Sequence, residues 1–124
     1  MFNQLKQKLK KKNIECSQKL NGVEDLNDDL KKKWLSFNNA SQGEKYSKYF
    51  TWYEFCTIVV KTTYEYNFIY KNTEYSIMNE KKYFSFVSEE KSAYYKYKSF
   101  DELLSNLKIE NKILKEVYND IKII

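Results

Sequence analysis

The stretch TWYEFCTIVVKTTYEYNFIY at residues 51–70 decides the fold, because the spacing of its apolar residues changes partway along. Trp52, Phe55, Cys56 and Val59 recur at three- and four-residue steps, the period of a helix with one buried face. Thr51 and Glu54 stand at capping-box spacing, with Phe50 and Phe55 placed as the hydrophobic staple around it. This predicts a helix from about Trp52 to Lys61. Beyond it, Tyr64, Tyr66, Phe68 and Tyr70 alternate with Thr63, Glu65, Asn67 and Ile69, the mark of a strand covered on one side.

Downstream, Lys71–Asn72 reads as a turn, since Asn tolerates positive φ. Tyr75 and Ile77 continue the apolar side of a second strand, and Asn79 to Lys82 makes another turn. A third strand spans Tyr83 to Val87, with Phe84 and Phe86 on one side. A fourth spans Ser92 to Lys98, with Tyr95 and Tyr97 opposed to Tyr94, Lys96 and Lys98. Short connections between strands predict an antiparallel meander, and its aromatic side needs helices over it. Ser99 and Glu102 repeat the capping-box spacing ahead of Leu103, Leu104 and Leu107. Glu110–Lys112 breaks that helix, and Ile113, Leu114, Val117 and Ile121 form the stripe of a last one.

Upstream, Leu20, Val23, Leu26, Leu30, Trp34 and Phe37 predict a helix strongest from Val23 to Leu35, then a loop from Asn38 to Gly43. Phe2, Leu5 and Leu9 share one face of a first helix. The expectation is an α+β single domain over 1–124. Its helical N-terminal part covers 1–43, and a helix, a four-stranded meander and two C-terminal helices fill 44–124.

The 124 residues include 22 basic side chains, all Lys, against 17 acids, for a net charge of +5. Lys6, Lys8, Lys10, Lys11 and Lys12 stand in a segment without acids and carry the whole excess. The rest of the chain is balanced, which argues against a broad nucleic-acid-binding face and against an acidic, DNA-mimicking one. The basic segment could touch phosphates, an acidic partner or anionic lipid, but a solvated helix whose apolar residues dock on the core is the favoured reading. No apolar run is long enough for a membrane span, and no hydrophobic leader follows the basic start. The cytoplasm is the expected location.

His, Arg and Pro are absent, and Gly occurs only twice. The bias toward Lys, Asn, Tyr, Phe and Ile fits an A/T-rich coding sequence, and it leaves no guanidinium for bidentate recognition. Without His, a Cys–His pair cannot form, and Cys16 and Cys56 alone cannot complete a four-ligand zinc site. Cys56 falls on an apolar helical stripe, as a small hydrophobe would. Two Gly cannot build a phosphate-binding loop or a nucleophile elbow. Glu80-x-Lys82 and Glu89-x-Lys91 have the spacing of metal-dependent nucleases, with Glu74 or Glu65 as the further acid such a site needs. In so charged a chain the same triplets serve as solvated loop charge. The expectation is no catalysis, no cofactor and no metal.

Twelve Tyr residues remain to be placed. Tyr64, Tyr66, Tyr70, Tyr75, Tyr95 and Tyr97 fall on the covered side of the sheet. Tyr83 and Tyr94 fall on the other side, beside Ile69, Met78 and Val87, where Tyr suits a protein interface. Stacking of single-stranded bases there is a secondary reading. Tyr83, Tyr94, Lys96 and Lys98 are the candidate partner-binding residues, with the N-terminal Lys cluster as a second contact.

FIYKNTEY at 68–75, YKSFDELL at 97–104 and IENKILKEV at 109–117 together resemble small uncharacterised proteins of bacteriophages and mobile elements in A/T-rich bacteria. In those, a hairpin pair leads into an S-hydrophobic-D-E-L-L helix and a closing helix. The likeness covers about 64–122, and its motifs are structural. Where those proteins carry Asn-Gly or Gly-Lys at the turns, this chain has Lys71-Asn72 and Asn111-Lys112. The resemblance implies a setting rich in small inhibitors such as anti-CRISPR proteins, acting by steric block of a nuclease complex. An immunity protein that neutralises a cognate toxin is the alternative.

Overall fold

In the computed structural model, which describes residues 22–124, a 3-10 turn at Val23–Asp25 leads into helix α1 (Asp28–Asn38). A second 3-10 turn at Tyr46–Lys48 precedes helix α2 (Trp52–Lys61). Strands β1 (Tyr66–Tyr70), β2 (Thr73–Asn79), β3 (Phe84–Ser88) and β4 (Ala93–Tyr97) follow. The chain then runs through α3 (Phe100–Asn106), the single turn α4 (Leu114–Val117), a 3-10 turn at Tyr118–Asp120 and β5 (Lys122–Ile123). The α+β class is the one expected. The described residues hold five strands rather than four, in the order β4-β3-β2-β1-β5, with every neighbouring pair antiparallel.

Local chemistry explains most boundaries. The capping box at Thr51 is complete: its hydroxyl accepts from the Glu54 N–H at 3.1 Å, and the Glu54 carboxylate accepts from the Thr51 N–H at 2.9 Å. At α3 only half of the expected box forms. Ser99 accepts from the Glu102 N–H, while the Glu102 carboxylate reaches one residue further back, to the Lys98 N–H at 2.7 Å. Both residues of the Lys71–Asn72 turn have positive φ, 48° and 65°, the conformation of a tight type I′ hairpin. The later turn lies one residue earlier than the sequence suggests. Glu110 and Asn111 hold positive φ, and Ile109 and Lys112 exchange backbone hydrogen bonds.

Two helices differ from expectation. The helix predicted from Val23 begins only at Asp28, because Leu26 is extended and the Asn27 side chain accepts from the Leu30 N–H to start a new helix. The stripe Ile113 to Ile121 supplies one helical turn and one 3-10 turn instead of a full helix. Ile121 and Ile123 then bury on a period of two with Lys122 exposed, and Ile123 pairs with Phe68. The first helix, with Phe2, Leu5, Leu9, Lys6, Lys8, Lys10, Lys11 and Lys12, lies outside the described residues, as does Cys16.

The helices cover one face of the sheet. Tyr66, Phe68 and Tyr70 of β1, Tyr75 and Ile77 of β2, and Phe86 of β3 point into that core. Phe55 of α2 is its centre, with its ring 5.6 Å from Tyr46, 6.2 Å from Tyr66 and 5.0 Å from Tyr118. Tyr95 departs from its predicted burial: it shares the covered side with Phe86 but stays 49% exposed, because β4 is the edge strand. Gly22 has φ 81°, and a Cβ there would sit 2.1 Å from the Lys61 carbonyl oxygen at the end of α2. Only Gly permits that approach.

Candidate functional site

Because side chains alternate across a strand, the residues between the core positions all face the other way. Asn67 on β1, Ser76 on β2 and Ser85 on β3 are small and polar, and they form the floor of a groove of about 420 Å³ on this face, which no helix covers among the described residues. The Ser76 hydroxyl hydrogen-bonds to the Asn67 side-chain oxygen and, at 3.4 Å, to Glu65, which ties β1 to β2 along the floor. Met78 and Val87 supply its apolar part.

Five carboxylates line this groove: Glu65, Glu74, Glu80, Glu89 and Glu90. They include the acids of both Glu-x-Lys triplets. The charge count is balanced along the chain, but the register of the sheet gathers acids on one face. Alternation places Glu74 outward, Glu65 stands just ahead of β1, and the turns after β2 and β3 bring up Glu80, Glu89 and Glu90. Among the described residues no three His, Cys, Asp or Glu side chains come together closely enough to hold a metal ion. Lys91 of the second triplet is directed elsewhere, 3.4 Å from Glu110.

Three of the predicted partner-binding residues meet at one side of the groove. Lys96 Nζ lies 4.7 Å from the centre of the Tyr83 ring and 5.6 Å from that of Tyr94, so one ammonium serves two aromatic faces. The Tyr83 hydroxyl is pushed up to about 12 by its hydrogen bond to the Glu80 carboxylate, and next by the one to the Tyr94 hydroxyl. The turn carrying Glu80 is held firmly: Glu80 N–H donates to the Tyr83 carbonyl at 2.9 Å, and Asn79 donates its side-chain amide to the Val60 carbonyl at 2.7 Å. Tyr94 is 55% exposed. Lys98 is not part of this cluster; it stands beyond β4 at the entry to α3, where its backbone N–H caps onto Glu102. The five N-terminal Lys lie outside the described residues.

A fixed phenol–carboxylate–ammonium cluster beside an acidic concavity offers hydrogen-bond acceptors and negative charge to a basic partner. Cys56, on the other side of the sheet, is half-buried against the core, and burial pushes its thiol up to about 11, away from reactive thiolate. Sequence reasoning singled out each groove acid only as part of a nuclease motif. The signal for a shared face was the alternation Glu74, Ser76, Met78, which becomes a surface once the partner strands are known. No helix among the described residues is long and apolar enough to cross a membrane. No protein-family model, curated protein or solved structure matches the chain.

Proposed function

We propose that this chain is a non-catalytic interaction protein, an anti-CRISPR-like inhibitor that acts in the host cytoplasm by seating its open sheet face on the basic, nucleic-acid-binding surface of a CRISPR nuclease complex. The carrying observation is the groove with five Glu along it and the Tyr83–Tyr94–Lys96 cluster beside it. Carboxylates on the sheet and its turns compete with phosphates for the same Lys and Arg side chains, and steric occlusion does the rest. The sequence resemblance to phage and mobile-element proteins supplies the choice of target. The same acidic groove suits the basic cleft of a toxin nuclease, so the immunity-protein reading stays second, and a toxin gene directly upstream would favour it.

The test is recovery of nuclease components from host lysate on the immobilised protein, with the Glu89→Lys/Glu90→Lys variant beside it. The wild type should retain a nuclease component and inhibit its cleavage, and the variant should lose both. Binding should also weaken as salt rises, since Glu74, Glu89 and Glu90 are exposed. Recovery of no nuclease component, or equal binding by the charge-reversed variant, refutes the proposal.

A further inference from the structure

The two edges of the sheet are not alike. Next to β5, residues 43–46 close the edge: Gly43 N–H donates to the Ile123 carbonyl, Ile123 N–H donates to the Glu44 carbonyl, both at 2.7 Å, and Lys45 bridges Lys122. At the opposite edge, β4 has no strand beyond it among the described residues. Its five residues pair with β3 in unbroken register, so no bulge twists the edge away, and neither Pro nor an inward-pointing charge blunts it.

A row of aromatic rings crosses the covered face and stops at that edge. Phe68, Tyr75, Phe86 and Tyr95 stand one per strand from β1 to β4, with successive centroids 5.6, 5.4 and 6.3 Å apart and rings within 27° of parallel. The first three are buried, and the fourth is half exposed. Among the described residues the row ends at Tyr95, stacked on Phe86.

We propose that two copies of this chain pair β4 to β4, antiparallel about a two-fold axis at Tyr95, giving one continuous ten-stranded sheet. Three features select this occupant and register. Tyr95 meets its own symmetry mate, which adds the next ring to the aromatic row. Tyr94 faces Lys96 of the other copy, and the reverse, repeating across the axis the ammonium-on-ring contact that Lys96 makes within its own chain. A register with Lys96 opposite itself would instead set like charges face to face. In addition, self-pairing centred on a residue joins odd positions to odd and even to even. Every outward backbone N–H and C=O of β4 then meets a residue whose own groups also point outward. The interface is isologous and closes at two copies.

This inference shares Tyr94 and Lys96 with the docking proposal, but its test needs no target. The full chain is examined by sedimentation equilibrium over a wide concentration range, alone and as Tyr94→Lys and Tyr94→Lys/Lys96→Glu. The wild type should reach twice the 15.1 kDa monomer mass. Tyr94→Lys sets Lys against Lys96 of the other copy and should weaken the dimer about tenfold or more, while the double variant restores an opposite-charge pair and with it the dimer. Sedimentation of the wild type at 15.1 kDa throughout would overturn the proposal. A dimer untouched by Tyr94→Lys would overturn it as well.

Discussion

Replacing Tyr66 by Phe removes one oxygen from the core and breaks a directed chain of hydrogen bonds. Trp34 Nε1–H donates to the Tyr66 hydroxyl at 3.0 Å. The Thr62 hydroxyl donates its only proton to the Ile58 carbonyl at 2.6 Å, so the 2.6 Å contact between Tyr66 and Thr62 has Tyr66 as donor. Trp34, Thr62 and Tyr66 are all buried, so no water replaces the lost oxygen. The Tyr66–Thr62 bond contributes about 1 kcal/mol net, and the stranded indole N–H costs a further 1–3 kcal/mol, roughly 2–4 kcal/mol together. Against a total stability of about 5–15 kcal/mol that is a large change. Thr62→Val is the control. The Ile58 carbonyl keeps the Thr62 backbone N–H, and the Tyr66 hydroxyl, 3.4 Å away, can turn to it, so about 1 kcal/mol is expected. Urea unfolding followed by tryptophan fluorescence reads both, with the m-value unchanged. A Tyr66→Phe variant within about 0.5 kcal/mol of wild type, or one no worse than Thr62→Val, would refute the claim that the indole depends on this hydroxyl.

Gly22→Ala sets a methyl against the Lys61 carbonyl and forces a left-handed backbone on Ala, so a loss of more than about 2 kcal/mol is expected in the same urea assay. Thr51→Ala removes one half of the capping box and should cost about 1 kcal/mol, read as a lower thermal midpoint. Replacing Lys71-Asn72 with Asn-Gly relieves two non-glycine residues at positive φ and should stabilise by about 1 kcal/mol in urea unfolding. Burial raises the hydroxyl pKa of Tyr46, Tyr64, Tyr66 and Tyr118 above the ordinary 10.0. The folded chain therefore keeps protons that the unfolded chain releases: this stability is whole below pH 10.0 and declines as pH climbs beyond it. In an alkaline titration, tyrosinate absorbance from these four should appear together with loss of circular dichroism. Their smooth ionisation in a folded chain would contradict this.

What the sequence discloses follows the range of the forces involved. Thr51 with Glu54 and Ser99 with Glu102 are legible because a cap is settled within one helical turn, and both mark true helix starts. The β1–β2 and β2–β3 hairpins are legible because short turns join strands of alternating polarity. The break at Asn27 is hidden because the apolar steps from Val23 onward continue through it, and Gly22 is settled only by its approach to the Lys61 carbonyl. The pairing of Ile123 with Phe68 depends on a distant partner, so Ile121 joined a helical stripe instead. The candidate site was half visible. Tyr83, Tyr94 and Lys96 share an outward face by alternation alone. The five acids, spread from Glu65 to Glu90, become neighbours only through the pairing of the strands. Tyr95 shows the complementary limit: periodicity identifies its side of the sheet, but not that the helical layer stops short of the edge.

Strand β5 also bears on the order in which the molecule can be finished during synthesis. Ile121 and Ile123 leave the ribosome after every residue they seal, the edge of β1 and the bend at 43–46 included. Until then, among the described residues, β1 has no strand on its far side. The β1 side of the sheet can therefore close only after Ile121 and Ile123 have been made, so its sealing is a late step of synthesis.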